Sequence, residues 1–199
     1  MADKFARWIS VFFDSSFLSL PIFLVLGVVS EKSMPAALGK ISGVLWALLL
    51  YFVVTGIPLA YLLVGKKRGW VSDLELTNRE ERPRFILVSL SSDGLALLLL
   101  WLGKGPQLLW LIISTYLFLA IVMFSISSFW KISMHMAGVG GFSTALVLVF
   151  GLPAAWAFLS LPLVAWARLH RRKHTPAQLL AGAMVGMTVT WFVFRSSPF

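Results

Sequence analysis

The sequence predicts an all-α integral membrane protein, a bundle of six to seven transmembrane helices with an N-terminal helix lying along the membrane interface. Three observations lead there. Of 199 residues, 59% are hydrophobic and 13% are charged, against the roughly one-quarter charged in a soluble domain. The apolar residues gather into segments of about 15 to 25 residues, and a helix of about 20 residues crosses a ~30 Å hydrocarbon layer with every backbone polar group satisfied internally. The longest polar stretch, 66–84, has only 19 residues, so residues 1–199 read as one transmembrane domain.

Residues 1–16 set Phe5, Trp8, Ile9, Phe12 and Phe13 at helical spacing, with Lys4, Arg7 and Asp14 off that stripe. This is the pattern of an interfacial helix. No small-residue cleavage site follows the first apolar run, which argues against a signal peptide. Apolar segments then run over about 16–30, 41–65, 85–103, 106–128, 134–150, 152–168 and 175–194. The first, fifth and sixth are short for a span. Pro153 and Pro162 interrupt the 134–168 region, so six spans with one re-entrant piece is the alternative to seven. Gly138, Gly140, Gly141, Gly182 and Gly186 read as close helix packing.

Cysteine is absent, which excludes disulfides, thiolate metal sites and cysteine nucleophiles. The net charge is +9, and all 8 carboxylates lie at or before Asp93. The seven lysines and arginines beyond Gly94 therefore need counter-ions from the first half of the chain, from anionic headgroups or from an anionic substrate. Membrane lipids are expected partners and nucleic acid is not.

Seven spans starting inside sort the basic residues sharply. Lys4, Arg7, Lys66, Lys67, Arg68, Arg79, Arg82, Arg84, Lys131, Arg168, Arg171, Arg172 and Lys173 share one face, and Lys32, Lys40, Lys104 and Arg195 share the other. The positive-inside rule sets the richer face in the cytoplasm.

Three segments meet on that basic face: Asp73 to Arg84 within the 66–84 loop, Lys131 to His135, and Ala167 to His174. Each pair is separated by an even number of spans. Guanidinium groups present paired planar donors to phosphate oxygens, and imidazole can attack phosphorus or shuttle a proton. His170 and the Arg171-Arg172-Lys173 run read as a solvated, headgroup-binding edge.

At these residues the chain resembles the type 2 phosphatidic acid phosphatase superfamily, which also contains the vanadium haloperoxidases and carries the motifs KxxxxxxRP, PSGH and SRxxxxxHxxxD. The third is matched by Ala167-Arg168, five residues, His174, three residues and Gln178; the second by Ile132-Ser133-Met134-His135; the first by Arg82-Pro83, with Glu75 at the lysine position. The matched region covers residues 75–178. The resemblance implies that His174 is the nucleophile and His135 the general acid. It also implies that Arg82, Arg168, Ser133, Lys131 and, in place of the missing lysine, Arg79 bind the phosphate, with no cofactor and no metal. Gln178 would orient His174 without supplying charge. Asp93, a carboxyl inside the third span, reads either as a buried protonated acid or partner for a hydroxyl, or as the carboxylate that makes up that charge. The expected substrate is a lipid phosphate or polyprenyl (di)phosphate. The alternative is a non-catalytic lipid-phosphate binder of the same fold.

Overall fold

A computed structural model describes residues 1–31 and 42–196. Lys32 and Lys40, counted above on the less basic face, lie outside the described residues. Among the described residues every regular element is helical. The α-helices are α1 (Ala2–Phe12), α2 (Ser15–Glu31), α3 (Gly43–Tyr51), α4 (Ile57–Arg68), α5 (Arg82–Gly103), α6 (Gln107–Ser127), α7 (Met134–Phe150), α8 (Ser160–His170) and α9 (Pro176–Ser196). Six helical stretches are long and apolar enough to cross a bilayer, namely Ala2–Ser30, Gly43–Arg68, Arg79–Gly103, Gln107–Ser127, Leu152–His170 and Pro176–Ser196; α7 is a shorter apolar helix. The chain is an all-α integral membrane protein.

Two spans contain irregular turns, each beside a proline. A π turn, Phe52–Gly56, joins α3 to α4 just before Pro58, whose ring would clash with the carbonyl four residues back in a regular helix. The Ser92 hydroxyl donates to the Val53 carbonyl in that turn at 3.3 Å, and the Ser19 and Thr55 hydroxyls lie 3.2 Å apart. The second irregularity is a 3₁₀ stretch, Leu152–Leu159, entered through Gly151 at φ +78° and Pro153 in its first turn. A 3₁₀ helix rises about 2.0 Å per residue, so this stretch and α8 together extend about 32 Å, the length of a span from few residues.

Packing sorts the chain into two compact units: 1–18 with 125–199, and 19–124. In the first, α7 and α9 meet backbone to backbone. A Cβ on Gly186 would lie 2.0 Å from the Ala137 carbonyl oxygen, and one on Gly182 would lie 2.5 Å from that of Ser133. Close approach of this kind replaces the hydrophobic driving force that lipid removes. Helix α1 lays Ala6, Ile9 and Ser10 inward, and Ala6 and Ile9 join a core with Met136, Val139, Val164 and Ala167. The expected aromatic stripe is thus divided: Ile9 is buried, while Phe5, Trp8 and Phe12 are exposed. Ala6 and Ser10 are small enough to let the helix approach α8, so they and Ile9 form the packed face, with Phe13 partly buried against the same core. Phe5 meets Trp166 with ring centroids 5.9 Å apart.

The second unit packs Phe23, Leu26, Trp46, Leu50, Leu100 and Ile113 in its interior. Its 66–84 loop is built from side-chain caps. Gly69 closes α4 in the left-handed conformation, φ +81°. The Asp73 carboxylate accepts from the Glu75 and Thr77 amides at 2.8 and 3.3 Å, and Glu81 Oε2 accepts from the Ser72 amide and hydroxyl at 3.0 and 3.2 Å.

Candidate functional site

Four of the residues singled out in the sequence, together with Lys131 and Gln178, belong to the first unit, and a backbone bond joins the second motif to the third. Ser133 is the N-cap of α7, its hydroxyl oxygen accepting from the Met136 amide at 3.3 Å. Its own amide donates to the Gln178 carbonyl at 3.2 Å. That bond and the Gly182 contact bring the start of α7 to the first turn of α9. Ser133 is completely buried, and its oxygen is engaged as a cap, so its O–H hydrogen is the part left for a ligand. Lys131, just before it, is half-buried.

His174 precedes α9, which opens with Pro176 in its first turn. Thr175, three residues before Gln178 at the third helical position, forms a reciprocal cap with it: the Gln178 amide donates to the Thr175 hydroxyl at 3.4 Å, and the Thr175 amide donates to Gln178 Oε1 at 3.2 Å. The second bond identifies the atom facing Thr175 as the side-chain oxygen. His174 Nδ1 lies 3.1 Å from that same oxygen. Because an amide oxygen only accepts, Nδ1 carries the hydrogen, and in the neutral ring the lone pair is on Nε2.

Arg168 sits in the last turn of α8 and is 2% exposed. The Lys173 amide donates to the Arg168 carbonyl at 3.0 Å, folding the chain back within a few residues, with Arg172 in the left-handed region at φ +50°. Arg168 and His174 thus stand at the two ends of one tight loop.

His135 lies in the first turn of α7 and is 8% exposed. Its Nε2 is 3.2 Å from the Ser10 carbonyl and 3.3 Å from Asp14 Oδ2. The carbonyl only accepts, so Nε2 carries a hydrogen. Sequence reasoning missed Asp14, setting it aside as merely off the apolar stripe. The signal was present: a lone carboxylate between two apolar helices, in a chain whose second half has none. His170, read as a solvated residue, is partly exposed, stacks on Trp166 at 5.4 Å and pairs with Asp3 Oδ1 at 2.8 Å.

Arg79, Arg82 and Asp93 belong to the second unit. Arg82 opens α5, is 1% exposed, and its Nε donates to the Leu76 carbonyl at 2.9 Å. Leu76 presents that carbonyl from a left-handed conformation, φ +48°. Arg79, in the preceding 3₁₀ turn, is exposed. Asp93 is buried in the middle of α5. Eleven residues of helix separate it from Arg82, about 16 Å along the axis. No three His, Cys, Asp or Glu side chains among the described residues group closely enough to hold a metal ion. Comparison with protein-family models, with curated proteins and with solved structures found no match.

Proposed function

We propose that the chain is a membrane-embedded phosphatase of the type 2 phosphatidic acid phosphatase kind, hydrolysing a lipid phosphate or polyprenyl (di)phosphate through a phosphohistidine. One observation carries the reading: two buried histidines flank the α7–α9 junction, and their ring partners differ. His174, fixed by an amide oxygen, has a neutral tautomer whose Nε2 lone pair can attack phosphorus. His135 holds a hydrogen on Nε2, so proton exchange with substrate runs through Nδ1.

In the first step a P–N bond forms at His174 Nε2 as the P–O bond to the lipid breaks. The electron pair leaves with that oxygen, and His135 Nδ1 protonates it. In the second step water attacks phosphorus and gives its proton to His135, the P–N bond breaks and phosphate departs. Arg168 and Lys131 are the cations assigned to the phosphate oxygens, and the Ser133 O–H and the Ala177 amide are further donors as charge develops. The lipid tail enters laterally between helices. No step is routed through a metal.

Phosphate release by the purified protein in micelles, from a panel of lipid phosphates and polyprenyl mono- and diphosphates, tests the reading. Glu75, a carboxylate at the position of the family's lysine, favours the rival reading of a non-catalytic binder. Saturable binding with no release from any member of the panel would establish that rival.

The active face is proposed to be cytoplasmic, on the thirteen-to-four division of basic residues that results when α7 crosses together with the six longer stretches. Single cysteines in this cysteine-free chain report it directly. Lys104→Cys should react with an impermeant thiol reagent on intact cells, and Ser72→Cys only after permeabilisation. The reverse pattern would invert the topology.

A further inference from the structure

We infer that Asp14, at the turn between α1 and α2, is a positioning residue for His135, so that the N-terminal helix completes the reaction centre. The inference rests on the phosphatase reading. No acidic residue follows Asp93 in the sequence, so a carboxylate serving α7 must come from the first part of the chain. Asp14 is such a carboxylate, with Oδ2 3.3 Å from His135 Nε2. The ring itself is almost wholly buried, its side chain 9% accessible, while Asp14 remains 35% accessible.

The placement is built by packing. Ala6, Ile9 and Ser10 seat α1 on the first unit's core, Asp3 pairs with His170 at the other end of the helix, and Ser10 offers its carbonyl to the same His135 nitrogen. Two acceptors from adjacent turns of one segment therefore grip one ring nitrogen. They fix the ring's rotation, and the carboxylate complements the positive charge of the imidazolium that must hand its proton to the departing oxygen. His174 Nδ1 faces an amide oxygen in the equivalent place. The two histidines are thereby set to different tasks: the one facing an amide is the nucleophile, and the one facing a carboxylate is the acid.

Leaving-group dependence separates this role from a structural clasp. An alkoxide needs a proton to depart, whereas 4-nitrophenolate does not. The wild type, Asp14→Asn and Asp14→Glu are compared on phosphatidic acid or a polyprenyl monophosphate, whichever the wild type turns over, and on 4-nitrophenyl phosphate, all in the same micelles. Asp14→Asn should lower kcat on the lipid ester by ~10 to 100-fold, the usual range for loss of a group supporting acid catalysis, with the 4-nitrophenyl rate within about twofold of wild type. Asp14→Glu should recover most of the loss, and Asp14→Asn should cost nothing further in a His135→Ala background. An equal fall on both esters, or no fall on either, overturns the assignment and leaves the phosphatase reading standing. A wild type inactive on all three esters overturns both.

Discussion

His174→Ala is expected to abolish turnover, by on the order of a thousandfold or more, while leaving substrate binding largely intact. Loss of a covalent nucleophile typically has that magnitude. The geometry says why the loss should be in kcat. Gln178 Oε1 accepts from both the Thr175 amide and His174 Nδ1, so the ring is oriented by the first turn of α9 with its lone pair on Nε2. Removing the ring leaves that cap between Thr175 and Gln178 in place, and leaves Arg168 on the far side of the loop. Orthovanadate, which can adopt the trigonal bipyramid of a phosphoryl transition state, should inhibit the wild type, and EDTA should not. With a ³²P-labelled substrate, an acid-labile, base-stable phosphoenzyme should be trapped in the wild type and be missing from His174→Ala. An alanine variant with near-normal rates, or an enzyme that stops on chelation of divalent metals, would sink the mechanism.

Gly186→Ala should be among the most damaging single-methyl changes in the first unit. The new Cβ would stand 2.0 Å from the Ala137 carbonyl oxygen and 2.8 and 2.9 Å from that residue's carbonyl carbon and Cα. All three are backbone atoms, so no side chain can swing aside, and α7 must part from α9. The bond between the Ser133 amide and the Gln178 carbonyl lies along the same seam, and so do both histidines. An overpacked seam of this kind costs about 3 kcal/mol, which for a chain of this size is a fall of ~6 to 12 °C in melting temperature. Phosphatase turnover should fall with it. Gly94→Ala is the control: nothing lies within 4 Å of its added Cβ, and alanine in a helix interior is favoured by up to about 1 kcal/mol. Equal melting of Gly186→Ala and the wild type would refute the packing account.

Hydropathy made most of the helix limits legible. The expected segment 106–128 is α6, Gln107–Ser127, and 175–194 is α9, Pro176–Ser196, because in a bilayer the length and polarity of a segment decide its state without reference to its neighbours. The glycines of α7 and α9 were legible for the same reason. Local turn geometry was less so. Pro58 and Pro153 announce a disturbance, but whether the helix widens into a π turn or tightens into a 3₁₀ stretch depends on tertiary partners remote in sequence, such as Ser92, whose hydroxyl donates to the Val53 carbonyl.

The candidate site was legible where it is local in sequence and not where it is remote. His174 and Gln178 are one helical turn apart, so their pairing follows from the helix repeat. Asp14 and His135 are separated by most of the chain, and no periodicity connects them.

The first unit takes residues 1–18 from one end of the chain and 125–199 from the other, whereas the second is the continuous stretch 19–124. During synthesis the second unit can close as soon as its last helix has emerged, but α1 has nothing to pack on until α7 and α8 follow. Its mate arrives more than a hundred residues later, and the loop to be closed is correspondingly long. Until then the face of Ala6, Ile9 and Ser10 must wait uncovered at the ribosome's membrane exit. His135 therefore gains its partners Ser10 and Asp14 only once α7 has been made, more than a hundred residues after them.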